Sequence, residues 1–180
     1  MPRLVLLSLL LLLAACEGPY ADLQSAFPAA APASAPSLPP AQLLLVSTKH
    51  EGAFTYGEGV VAVRLLSNGV EMIPAFPFSL AMESVFIPIA SIDGCSRTCF
   101  GDGVWNANLL VAVTGTEISL PQSRAAVEWC WTRQIPMISS ADRRAWLYTG
   151  ASLPDRGKFA EQLASRDKFD LQAKQSCLGF

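Results

Sequence analysis

Between Leu43 and Leu120 the chain strings short β-prone runs together at hairpin spacings. They are Leu43–Ser47, Phe54–Tyr56, Gly59–Leu66, Val70–Ile73, Ser84–Ala90, Val104–Val113 and Glu117–Leu120. Parallel neighbours need a crossover of about a dozen residues or more, usually a helix, so runs this close together pair antiparallel. Ser67-Asn68-Gly69 separates two of them, and Asn-Gly supplies the positive φ angles of a tight hairpin turn. Gly101-Asp102-Gly103 and Thr114-Gly115 mark further reversals. The expected fold class is α+β, with an antiparallel meander sheet, curved or partly closed, followed by C-terminal helices.

The helices belong to the last third. Pro121 suits a first helical position, and Ala126, Val127, Cys130, Trp131 and Ile135 recur on one broad face before Pro136 ends the segment. Ser140 is placed to cap a second helix through Tyr148, with Gly150 as its stop. Pro154 opens a third, expected to turn Phe159 and Leu163 inward. From Asp167 onward, Phe169, Leu171 and Ala173 alternate as in a strand, and a frayed helix fits equally.

At the other end, Arg3 precedes an apolar run, Leu4–Leu13, broken by Ser8. A stable membrane-spanning helix needs about 20 apolar residues, so this run is too short and reads as a secretory signal peptide. It closes on Leu13-Ala14-Ala15-Cys16, which resembles the lipobox of bacterial lipoproteins. The resemblance implies cleavage before Cys16, lipidation of that residue and attachment to a membrane of the cell envelope. Glu17, rather than aspartate, follows the cysteine, and within that family this favours the periplasmic face of the outer membrane. Residues 1–15 are thus assigned as signal peptide. Residues 16–41 are assigned as the lipidated cysteine and a Pro/Ala-rich tether, expected to stay extended and mobile because it has little apolar surface to bury. Residues 42–180 form a single α+β domain, large enough to bury about two-thirds of its unfolded surface. Within it, the Arg64–Val70 hairpin, Ile87-Pro88-Ile89 and the helix from Gln122 give a weak similarity to the pleckstrin-homology/GRAM-like superfold.

With Cys16 lipidated, Cys95, Cys99, Cys130 and Cys177 remain. An even number in an oxidising compartment favours disulfides, and the pairing expected is Cys95–Cys99 with Cys130–Cys177. A zinc site would use the same four residues, but thiolates survive poorly in such a compartment. A redox pair would more naturally have two intervening residues than three. His50, the single histidine, sits in a polar turn between Lys49 and Glu51, and no G-x-S-x-G, H-E-x-x-H, Walker or EF-hand pattern accompanies it. No catalytic residue, cofactor or metal is expected.

The chain carries 13 basic and 15 acidic side chains, for a net charge of −2. Residues 17–120 hold 3 basic against 9 acidic groups, and residues 121–180 hold 9 against 6, so the two parts attract each other. That balance and an exported compartment argue against nucleic acid as a partner. A candidate interaction surface combines Phe76, Phe78, Trp129, Trp131, Arg143 and Arg144, since exposed aromatic and arginine side chains dominate contact hot spots. The expected function is a lipid-anchored envelope protein that presents its domain for protein–protein interaction or structural support, with another envelope protein as partner. A periplasmic module for a small apolar ligand is the alternative, and a hydrolase or thiol-active enzyme the third reading.

Overall fold

The structure, a computed structural model, describes residues 18–28, 43–49, 53–57, 59–100, 104–121, 123–153, 157 and 159–166. It begins with a helix, α1 (Pro19–Ala26), followed by strands β1 (Leu43–Ser47), β2 (Ala53–Tyr56), β3 (Val61–Leu65), β4 (Gly69–Pro74) and β5 (Val85–Pro88). Next come β6 (Gly94–Phe100), β7 (Val104–Val111), β8 (Thr116–Leu120), helix α2 (Arg124–Thr132), β9 (Met137–Ile138), α3 (Ser140–Thr149) and α4 (Phe159–Ala164). The α+β class holds.

The strands form two open sheets rather than one curved meander. The larger has the order β2-β1-β8-β7-β6-β9 and the smaller the order β3-β4-β5. All pairs are antiparallel except β6 with β9. Alternation explains the split. Each strand offers one apolar row, and stacking the row of one sheet on that of the other buries both. Leu43, Leu45, Leu109, Val111 and Ile118 of the large sheet share one core with Val61, Val63, Val70, Met72, Val85 and Ile87 of the small one. Leu110, pointing the opposite way from Leu109, joins Ile138, Trp146 and Leu147 in a second cluster on the outer face of the large sheet.

The β3–β4 hairpin reverses at Ser67-Asn68 as expected, with the Leu66 N–H donating to the Gly69 carbonyl at 2.8 Å. Neither Asn68 nor Gly69 adopts a positive φ. Glycine is needed at 69 because a Cβ there would lie 2.3 Å from the Ile87 carbonyl oxygen. The first C-terminal helix begins later than expected: Ser123 caps it by accepting from the Ala126 N–H at 3.1 Å, and Pro121 stands outside. Ser139, one residue before Ser140, caps α3, and Gly150 ends it in the left-handed region at φ 68°. In α4, Phe159 packs inward while Leu163 is half exposed. Gln162 turns its side chain onto β9, donating to the Met137 carbonyl at 2.9 Å and accepting from its N–H at 2.8 Å. An edge strand is thereby satisfied by a side chain. Pro154, Arg156, Lys158 and the segment from Asp167 lie outside the described residues.

Two expectations are corrected. The stretch from Gly94 to Phe100, expected to be closed into a small loop by a Cys95–Cys99 disulfide, is a continuous strand paired with β7 along its whole length. The tether fails over its first part: residues 19–26 are helical, Tyr20 and Leu23 are buried, and Pro28 forms a bridge with Val85. Tyr20, Leu23 and Phe27 fall on one helical face that packs into the core, which the surrounding Pro/Ala composition conceals. The Tyr20 ring lies 5.9 Å from Tyr56, and its hydroxyl donates to the Glu83 carbonyl at 2.9 Å. Burial first, and then the neighbouring Tyr56, raise its phenol above the ordinary range, which keeps it a donor.

Leu23→Ala removes a fully buried side chain and is expected to cost about 2–5 kcal/mol in denaturant unfolding. An unchanged midpoint would mean that α1 is not part of the fold.

Candidate functional site

The geometry of the cysteines decides what chemistry they can do. On a strand, four residues span about 13 Å at ~3.3 Å per residue, well beyond the ~7 Å between Cα atoms that a disulfide tolerates. Cys95 and Cys99 therefore cannot pair within β6. Cys95 instead bonds Cys130 of α2, with Cα atoms 6.4 Å apart, so the expected Cys95–Cys99 and Cys130–Cys177 assignment is overturned. Both bonded residues are buried, and the bridge closes a loop of 35 residues' separation, worth about 4 kcal/mol by loop-closure entropy. It joins the inner face of the large sheet to the helix that covers it. The side chain of Cys99 lies outside the described residues, as do Cys16, Cys177 and His50. Among the described residues no three His, Cys, Asp or Glu side chains gather to hold a metal ion.

The tryptophans leave the expected interaction surface. Trp129 is buried and its indole N–H donates to the Leu66 carbonyl at 2.8 Å, which ties α2 to the β3–β4 hairpin. Trp131 is buried against Phe159 at 5.8 Å between ring centroids, with the Arg166 guanidinium 5.3 Å from its ring. An amphipathic helix cannot place residues two apart on one face, and here the small sheet takes one ring while α4 takes the other. Arg144 remains exposed on α3.

Arg143 leaves it too. It points down from α3 and donates through Nε and Nη2 to both carboxylate oxygens of Glu117, which is fully buried in β8. Burial pushes the Glu117 carboxyl up, while the Arg143 hydrogen bonds and charge pull it back down. Beside this pair runs a row of buried amides and hydroxyls on the same sheet face. Asn106 Nδ2 donates to Ser119 Oγ at 3.2 Å, and Asn108 Nδ2 donates to Ser96 Oγ at 3.2 Å and Thr98 Oγ1 at 3.1 Å. The serines therefore hydrogen-bond to asparagine amides, which cannot act as general bases, so the row has the chemistry of a polar seam. Replacing either partner of a buried ion pair alone is costly, which gives this seam the power to fix where α3 sits.

At one end of the molecule the surface turns apolar. The connection from β4 to β5 is a tight, internally bonded turn: Ser79 N–H donates to the Ala75 carbonyl at 3.0 Å, Leu80 N–H to Pro77 at 3.0 Å and Met82 N–H to Phe78 at 2.9 Å. Phe78 packs against the core and Met82 is buried. Phe76 and Leu80 are held outward, 79% and 76% exposed. Of the expected surface residues, Phe76 is thus confirmed as exposed, Phe78 is only partly so, and Leu80 joins it. Sequence spacing gave no signal for Leu80, because a single 3₁₀ turn has no amphipathic period to read. Asn106 and Asn108 do alternate with apolar neighbours, but asparagine is rare enough in strands to hide that pattern.

Compared with protein-family models, with curated proteins and with solved structures, the chain has no match. No helix among the described residues is long and apolar enough to cross a membrane.

Arg143→Ala leaves the Glu117 charge buried without its partner and is expected to cost about 3–5 kcal/mol near neutral pH. Burial already raises this carboxyl in the fold, and loss of the Arg143 hydrogen bonds and charge, which pull it down, raises it further. A raised carboxyl weighs against the folded state as pH rises and ceases to do so once it is protonated. The loss should therefore shrink when unfolding is measured at mildly acidic pH. An equal loss at both pH values would assign the effect to packing rather than to Glu117.

Proposed function

We propose that this chain is a bacterial lipoprotein, cleaved before Cys16 and acylated there, whose α+β domain serves protein–protein interaction or structural support in the cell envelope. The observation that carries this reading is the placement of Leu13-Ala14-Ala15-Cys16 immediately before a docked helix. Cleavage at that point removes the apolar leader and leaves α1 complete. Two residues, Glu17 and Gly18, then separate the acylated cysteine from the fold. The Cys95–Cys130 disulfide accords with an oxidising compartment outside the cytoplasm. Glu17 favours delivery to the outer membrane, and the partner expected there is another envelope protein.

Folded structure so close to the anchor changes what the domain does. It does not sweep a large volume from a long tether but is held at the bilayer, presenting the same surface outward at all times. That suits a scaffold or a docking partner better than a diffusing carrier.

In cells fed an alkyne-tagged fatty acid, the wild-type chain should incorporate label and its mature mass should begin at Cys16. Cys16→Ala should abolish the label. Undiminished labelling of that variant would defeat the assignment.

A further inference from the structure

Resting on acylation at Cys16, we infer that the β4–β5 turn is a second membrane contact, with Phe76 and Leu80 seated in the bilayer that holds the chain's own lipid. The turn does not expose these side chains through disorder. Its backbone bonds, the packing of Phe78 against the core and the burial of Met82 fix the loop, and the same geometry projects Phe76 and Leu80 out.

Its position is what identifies the occupant. The chain enters the fold at Gly18, whose φ is 111° and whose Cβ, were there one, would lie 3.3 Å from the Phe54 ring. Two residues further on, Tyr20 contacts Tyr56 and donates to the Glu83 carbonyl at the close of the turn. The strand that holds Tyr56 leads through Gly57 to Val60, and the Val60 carbonyl accepts from the Ala75 N–H at the turn's opening at 2.9 Å. The close of the turn is therefore bonded to α1 itself, and its opening to Val60, four residues beyond Tyr56. From Cys16 to Gly18 an extended chain reaches at most about 7 Å. A bilayer that holds acyl groups on Cys16 must lie against this end of the domain.

Chemistry favours lipid over a charged partner. Neither residues 17–48, nor 53–60, nor 75–83 contain a lysine or arginine, whereas Glu17, Asp22, Glu58 and Glu83 are acidic. Attraction here is apolar, not electrostatic. Two side chains would hold a free protein to a membrane only weakly, but a lipid anchor supplies the local concentration that makes a weak second contact effective. Together they would fix the orientation of the domain. Val113, also exposed, lies in the β7–β8 turn, and the pairing of Thr116 with Ser47, and of Leu43 with Tyr56, sets it at the far end of the sheet.

The test uses the full acylated protein reconstituted into vesicles of phosphatidylethanolamine and phosphatidylglycerol. The photo-cross-linker p-benzoyl-phenylalanine replaces Phe76, Leu80 or Val113, one at a time. Lipid adducts at positions 76 and 80 are expected to exceed those at 113 by at least about fivefold, in high salt as in low, as an apolar contact requires. Yields at 76 and 80 no greater than at 113, or adducts there to protein alone, would overturn the contact. Intact mass reports the acyl groups on Cys16 independently, so an unacylated chain would overturn the anchor rather than the turn.

Discussion

The docking of Tyr20 and Leu23 between the two sheets is the contact on which the rest of the architecture leans. Tyr20 touches Tyr56 of the large sheet and the Glu83 carbonyl before the small one, and Pro28 bridges to Val85. Helix α1 thus closes the sandwich at the end where β4 finishes. At the opposite end, beside the β3–β4 hairpin, α2 does the same through the Trp129 bond to Leu66 and the Cys95–Cys130 bridge. Two open sheets of unequal width gain little from edges alone. Held at both ends by helices, they share one apolar core.

The outer face of the large sheet follows a different rule. Leu110, Ile138, Trp146 and Leu147 make a small apolar cluster, and next to it the buried Glu117–Arg143 pair and the Asn106, Asn108, Ser96 and Ser119 bonds take up polar groups. A hydrophobic seam of the same size would stabilise at least as well. What the polar row adds is a position: α3 is satisfied only where the Arg143 fork meets both Glu117 oxygens.

Much of this was legible in the sequence, and the exceptions have physical causes. All seven strand runs, the reversal at Ser67-Asn68 and the Gly150 stop followed from alternation and turn chemistry. Strand β6 was concealed because Asp93-Gly94 and Gly101-Asp102-Gly103 look like turns, and Cys95 and Cys99 between them look like a staple. Their spacing of four suits a tight loop but in a strand sets them too far apart to bond. The partner of Cys95 lies on α2, and contacts between distant elements leave no local trace. Helix α1 was hidden for another reason: its buried residues, Tyr20, Leu23 and Phe27, are few, and the prolines and alanines that follow dominate any average taken over the region. The seam was unreadable because glutamate in a strand is ordinarily exposed. The burial of Glu117 and its pairing with Arg143 of α3 come from a contact between distant elements, which leaves no local signal.

Those two corrections lead to the same view of the protein. Under the proposed acylation at Cys16, a fold whose core already includes Tyr20 and Leu23 would stand against its membrane and offer the envelope the surface turned away from the lipid. Neutron reflectometry of the acylated protein on a supported bilayer tests this most directly. Protein density continuous with the headgroup layer is the result expected. A hydrated gap of tens of ångströms, up to the roughly 80 Å that an extended 16–41 tether at ~3.1 Å per residue would permit, would contradict it.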